Sequence, residues 1–171
     1  MEKVTPFLWY DTQALDAAEH YVSVFSGRPG GDPGASRILD VARQGASGPD
    51  EPGSVFMVTF ELEGQRLMAL NGGPRFAFNE SFSLFVRCGS QEEVDHFWDS
   101  FVSGGGQESM CGWLKDRYGL SWQIVPNALM ELMSDPDPAK AQAVTQAMLQ
   151  MRKIEIDGLR RAYGAAESGS S

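Results

Sequence analysis

The sequence of 171 residues predicts an α+β fold in which one unit, a strand, a helix and then several strands, occurs twice before a helical C-terminal part. Three observations carry this. The aromatic, β-prone run Lys3–Tyr10 leads into Leu15, Ala18, Tyr21, Val22 and Phe25 at helical spacing. A second strand-like run, Ser81–Cys88, leads into Val94, Phe97, Trp98, Phe101 and Val102 at i, i+3, i+4, i+7 and i+8. Beyond Pro126 the strand pattern stops, and Val144, Ala147, Met148 and Met151 form an apolar helical stripe.

Taken in order, Pro6 is tolerable at a strand start, and Asp11 and Thr12 are N-cap candidates for the first helix. Ser26–Gly34, with four Gly and two Pro, stops that helix. Ser36–Arg43 reads as a short strand and Gln44–Ser54 as a flexible connection. Ser54–Glu63 alternates, with Val55, Met57, Thr59 and Glu61 opposite Phe56, Val58, Phe60 and Leu62. Glu63-Gly64 is a hairpin turn into Arg66–Leu70, and Asn71-Gly72-Gly73-Pro74 ends the unit. In the second unit Ser90-Gln91-Glu92-Glu93 is a capping box and Gly104–Gly106 a terminator. Glu108–Leu114 and Leu120–Val125 read as strands joined by a turn at Lys115–Gly119. Asn127–Met133 is one short turn or helix. Asp135-Pro136 is a cap with Pro at the first helical position, and the stripe continues through Ile154 or Ile156, Leu159 and Tyr163. The expected divisions are 1–75, 76–126 and 127–164 within one structural domain, with a disordered tail at 165–171.

Composition narrows the function. Fourteen Lys and Arg against 23 Asp and Glu give a net charge of -9, which repels nucleic acid and anionic membranes alike. Hydrophobic residues at 42% support a core that buries roughly 70% of the unfolded surface. Two Cys make neither a disulfide framework nor a four-thiolate zinc site, and two His leave little for a catalytic metal. No long apolar stretch follows Lys3 and none reaches the ~18 residues of a membrane span, so a cytoplasmic location with free thiols is expected.

Several strings, in order, then resemble one family: TPFLWYD at Thr5–Asp11, HYVSVF at His20–Phe25, FNES at Phe78–Ser81, CGWLKDRYG at Cys111–Gly119 and SWQIVP at Ser121–Pro126. SDPDPAKAQ at Ser134–Gln142 and AMLQMRKIEI at Ala147–Ile156 belong to the same pattern. Over about residues 3–163 the chain resembles the vicinal oxygen chelate superfamily (glyoxalase, bleomycin-resistance and extradiol dioxygenase proteins). Within it the match is to the PhnB-like branch, labelled 3-demethylubiquinone-9 3-methyltransferase. The resemblance implies two βαβββ modules forming a curled mixed sheet around a pocket, with C-terminal helices, and it implies a homodimer. It also implies four metal-ligand slots, which fall near Thr5 or Pro6, on Asn71, on Ser81 and on Gln123. None holds His, Asp or Glu, and neutral amides hold divalent cations weakly, so no metal and no other cofactor are expected.

The remaining candidates are weighed one by one. His20 and His96 read as solvated helix-face residues. Cys111 reads as a small hydrophobe, since a thiolate needs a nearby cation and Lys115 lies on the order of 13 Å along an extended strand; Cys88 carries no signal of its own. Trp9, Phe78, Trp113 and Trp122, with the amides of Asn71, Asn79 and Gln123 and with Ser81 and Cys111, are either core or the lining of a pocket for a planar or apolar ligand. Lys115 and Asp116 read as a surface ion pair at a turn. Glu80 is a carboxylate beside a ligand slot, and in a strand it would face away from Ser81. Methyl transfer is rejected, because Pro74 stands where the helix of a cofactor-binding glycine loop should begin. The expected function is metal-independent binding of an aromatic or apolar small organic molecule. The alternative is a lyase- or isomerase-type enzyme on a small oxygenated substrate, with an acquired divalent metal or with Gln123, Asn71 or Lys115 polarising a carbonyl; no catalytic residue is assigned.

Overall fold

The computed structural model describes residues 3–48 and 50–168. They form two compact units, Met1–Phe78 and Asn79–Ser171. The first contains β1 (Phe7–Tyr10), α1 (Ala14–Ser26), β2 (Arg37–Arg43), β3 (Val55–Leu62) and β4 (Gln65–Asn71). Its four strands lie in the order β1-β4-β3-β2, with β1 parallel to β4 and the other pairs antiparallel.

Strand alternation decides which face is core. Leu8, Tyr10, Val58, Phe60, Leu62, Leu67 and Ala69 are buried, as are Ala14, Ala17, Ala18, Tyr21, Val24 and Phe25 of α1. Each large side chain so buried contributes about 1.5–3 kcal/mol. The Tyr10 and Tyr21 hydroxyls, 3.0 Å apart, satisfy each other inside this layer. Trp9, Leu70 and Met57, in register across three strands, point the other way.

Local signals held in part. Glu63 and Gly64 both take positive φ, 48° and 83°, as a two-residue type I′ turn requires, and Arg28 pairs with Glu63 at 2.6 Å. Neither Asp11 nor Thr12 caps α1. The cap position is Gln13, whose side chain does not cap, and the Ala14 amide instead donates to Oδ1 of Asn71 at 2.8 Å.

The second unit repeats the topology with β5 (Ser83–Cys88), α2 (Gln91–Ser103), β6 (Gln107–Glu108), β7 (Trp113–Lys115) and β8 (Ser121–Pro126), in the order β5-β8-β7-β6. The predicted stripe of α2 is buried at Val94, Phe97, Trp98 and Phe101. Ser90 Oγ accepts from the Glu93 amide at 3.2 Å, while the Glu93 carboxylate takes the Gly89 amide rather than that of Ser90. The expected strand Glu108–Leu114 is instead a hairpin. Cys111 and Gly112 have φ of 59° and 82° and reverse the chain between β6 and β7. A Cβ at Gly112 would sit 2.8 Å from the Ile124 carbonyl oxygen, so side chains are excluded there.

Asp116 is not at the surface. It is 4% exposed, and its carboxylate accepts from Tyr118 N (2.8 Å), Leu120 N (3.1 Å) and Trp122 Nε1 (2.8 Å). One buried acid therefore ties the turn before β8 to the core indole.

α3 (Asn127–Met133), α4 (Pro138–Met148) and α5 (Ile156–Ser168) complete this unit. The cap of α4 is Asp137, accepting from Ala139 N, with Pro138 at the first position. The expected cap, Asp135, instead accepts from Asp137 N and from the Tyr163 hydroxyl at 2.6 Å. Val125, Leu129, Val144, Ile154 and Leu159 form a separate apolar cluster, onto which Met148, Met151 and Tyr163 pack. Met148 and Met151 of the expected stripe are thus used inside the unit. α5 continues to Ser168, so Ala165–Ser168 are helical where a disordered tail was expected; Ala165 and Ala166 favour this. Residues 169–171 lie outside the described residues. No helix among the described residues is long and apolar enough to cross a membrane.

Candidate functional site

In the first unit a cavity of about 720 Å³ opens where β1 and β4 end and β3 begins. Trp9 forms one wall. Its indole N–H donates to the Gly73 carbonyl at 2.9 Å, and its ring meets Phe76 edge-on at 5.1 Å. Both contacts fix the ring plane. Leu70, Val55 and Phe56 add apolar surface, and Asp11, Asp50 and Glu51 add carboxylates, with no Lys or Arg in the lining. Asp50 and Glu51 belong to the connection read from sequence only as flexible. Its acidity was visible, but its return to β1 depends on the β2–β3 hairpin and not on composition.

Gly72 is what lets this wall stand. A Cβ there would lie 2.3 Å from the Trp9 ring. Gly72→Ala is expected to displace the indole, weaken its bond to Gly73 and cost about 1–3 kcal/mol of stability. Near-ultraviolet circular dichroism together with urea unfolding would show this, and an unchanged aromatic spectrum would contradict it.

Asn71 is at the cavity, but its amide is occupied on both sides. Oδ1 accepts from Ala14 N at 2.8 Å and Nδ2 donates to the Val55 carbonyl at 3.1 Å. Phe78 is half-buried edge-on to Tyr10 at 5.1 Å and does not line this cavity.

In the second unit the sheet face away from α2 carries Phe85, Gln123 and Trp113 in one row, and Ser83, Ser121 and Lys115 in the next. Gln123 donates to Ser83 Oγ at 2.9 Å. A smaller cavity of about 170 Å³ lies against Lys115, Ser121, Trp113, Glu80 and Glu108. Lys115 forms an ion pair with Glu80, and its hydrogen bond holds the Glu80 carboxyl below the ordinary carboxylate range. Ser121 is 1% exposed, and its hydroxyl has no hydrogen-bond partner among the described residues.

Other candidates fall elsewhere. Trp122 is 1% exposed and stacks on Phe101 at 4.6 Å, so it is core and not pocket wall. Ser81 precedes β5 instead of lying on it; Asn79 Oδ1 accepts from its amide and hydroxyl, and both residues are exposed. Glu80 likewise lies outside any strand, which is how its carboxylate reaches Lys115. Cys111 is half-buried in its hairpin, donating its amide to the Met151 carbonyl. His20 and His96 are half-buried on α1 and α2, not fully solvated, and line neither cavity.

The metal slots were tested on their chemistry. Asn71 is spent on backbone, Gln123 donates to Ser83, Ser81 donates to Asn79, and the Pro6 carbonyl accepts from Met68 N. Among the described residues no three His, Cys, Asp or Glu side chains are grouped to hold a metal. The residues present do not fit the superfamily's metal.

Two mixed four-stranded sheets with the same strand order, each served by one helix, define a glyoxalase-like, vicinal oxygen chelate fold. The family model described as 3-demethylubiquinone-9 3-methyltransferase matches residues 2–125, and the chain belongs to this family, the PhnB-like branch of that superfamily. A solved structure of the PhnB protein from Bacillus cereus, described by the same methyltransferase name, is 31% identical with a TM-score of 0.62, over 73% of this chain and 99% of that one. Protein PA1353 from Pseudomonas aeruginosa is 16% identical with a TM-score of 0.56, over 74% and 98%. The fosfomycin resistance protein FosX from Listeria monocytogenes is 12% identical with a TM-score of 0.49, over 77% and 97%. No functionally curated protein matches the sequence.

Proposed function

We propose that the protein binds a small organic molecule without a metal, and that the ligand presents an aromatic or apolar face to Trp9. The observation that carries this is the cavity of about 720 Å³, within the range of small-molecule sites, with an indole held in a fixed plane as its wall. The three carboxylates and the absence of cations in the lining favour a ligand that is neutral or positively charged. The unsuitability of Asn71, Ser81 and Gln123 as ligands supports metal independence. Nor does the family's name require methyl transfer here. After β4 the chain passes Gly72, Gly73 and Pro74 and forms no helix before β5, which speaks against a cofactor-binding glycine loop.

A thermal-shift screen of aromatic metabolites tests the reading. A ligand at 100 times its dissociation constant adds about 2.7 kcal/mol, or several degrees. Trp9→Ala is expected to abolish the shift while the protein remains folded. A library that moves nothing, or a Trp9→Ala variant that responds like the wild type, would sink the proposal, and stoichiometric tightly held Zn, Mn, Ni or Fe in untagged protein would remove its metal-free part. We read the protein further as a cytoplasmic homodimer. The exposure of Phe82 and Phe85 in the second unit, at 45% and 48%, supports a covered surface, and sedimentation equilibrium would decide the dimer.

A further inference from the structure

We propose that Lys115 and Ser121 form a subsite for the carboxylate of a small organic acid, and that the chain's own Glu80 holds it as an internal competitor. The subsite lies in the second unit and does not rest on the Trp9 cavity. Register places its donors together: Gln107, Lys115, Ser121 and Ser83 are successive partners across four strands, so their side chains share one face. The Ser121 hydroxyl is buried without a hydrogen-bond partner among the described residues, an unfavourable state that a guest would relieve. Beside it the Lys115 ammonium has three N–H donors, and Glu80 is its ion-pair partner. Two neighbouring groups with donors to spare, at the wall of a cavity, call for a ligand that supplies oxygen acceptors.

Glu80 indicates which acceptor fits, because a carboxylate already sits on Lys115. The other acid at this cavity, Glu108, is engaged by Trp98 Nε1 at 3.0 Å and by Arg152 at 3.2 Å, so its charge is largely offset. Glu80 itself is 65% exposed, on the segment before β5, and can leave Lys115 with little loss of burial. A volume of about 170 Å³ limits the guest to a short-chain acid, below the usual range for drug-sized ligands.

Propionate titrations followed by amide chemical shifts test this on the full chain. Glu80→Gln removes the competitor and its charge, and is expected to bind propionate about tenfold more tightly than the wild type. In that background Lys115→Met should abolish binding and Ser121→Ala should weaken it several-fold; Glu80→Ala provides a second route should the glutamine variant fold poorly. The neutral analogue propionamide should not bind. The proposal is overturned if Glu80→Gln and Glu80→Ala bind no better than the wild type, or if Lys115→Met binds undiminished. Phosphate binding as tight as propionate would overturn the assignment of a carboxylate.

Discussion

Trp122→Ala is expected to lower the unfolding free energy by about 4 kcal/mol, near the upper end for a buried aromatic reduced to alanine. Trp122 is 1% exposed, stacks on Phe101 at 4.6 Å with the ring planes 23° apart, and donates its indole N–H to Asp116. Truncation removes all three contributions and opens a cavity beneath α2, which bears on β8 through Phe101. For a chain of this size the loss is a fall of roughly 8–16 °C in Tm. Trp122→Phe should cost about half as much, because it keeps most of the ring and loses the N–H. Urea denaturation measures both, and a loss below about 1 kcal/mol for the alanine variant would contradict the core placement.

The second large effect is at Asp116. Asp116→Ala leaves three buried or half-buried donors, Tyr118 N, Leu120 N and Trp122 Nε1, without their shared acceptor. The expected cost is about 3 kcal/mol. Asp116→Asn retains one oxygen acceptor but turns an NH₂ toward a donor, so it should fall between alanine and wild type. Because Trp122 and Asp116 share a hydrogen bond, the double alanine variant should lose about 1 kcal/mol less than the sum of the singles. Strict additivity in that cycle would mean the bond contributes nothing.

The repeated strand–helix–strands order was legible because both helices carry strong apolar stripes and both first strands are aromatic. Faces were legible at β3, where Val58, Phe60 and Leu62 alternate with Thr59 and Glu61. Short-range signals misled where a long-range partner took over. Asn71 replaced Asp11 and Thr12 at the start of α1, and Tyr163 drew Asp135 away from capping α4. The hairpin at Cys111-Gly112 was hidden because a non-glycine residue at positive φ is uncommon, so Cys111 gave no turn signal. At the sites, Trp9 and Asn71 were each read as either core or lining, and the structure places both beside the first cavity. Trp122 was not separable from them by sequence, since an indole suits a core and a pocket equally. The Ser121 hydroxyl had no signal at all. Its isolation is a property of strand pairing, which brings Lys115 beside it and leaves no acceptor in reach.

The double use of the Asn71 amide has a consequence for anyone redesigning this scaffold. Here the amide acts as a tie-rod between the start of α1 and the start of β3. Writing a histidine or glutamate at 71 would therefore add one ligand to a site while unfastening two backbone groups. A metal ligand at this position would first require another acceptor for the helix start.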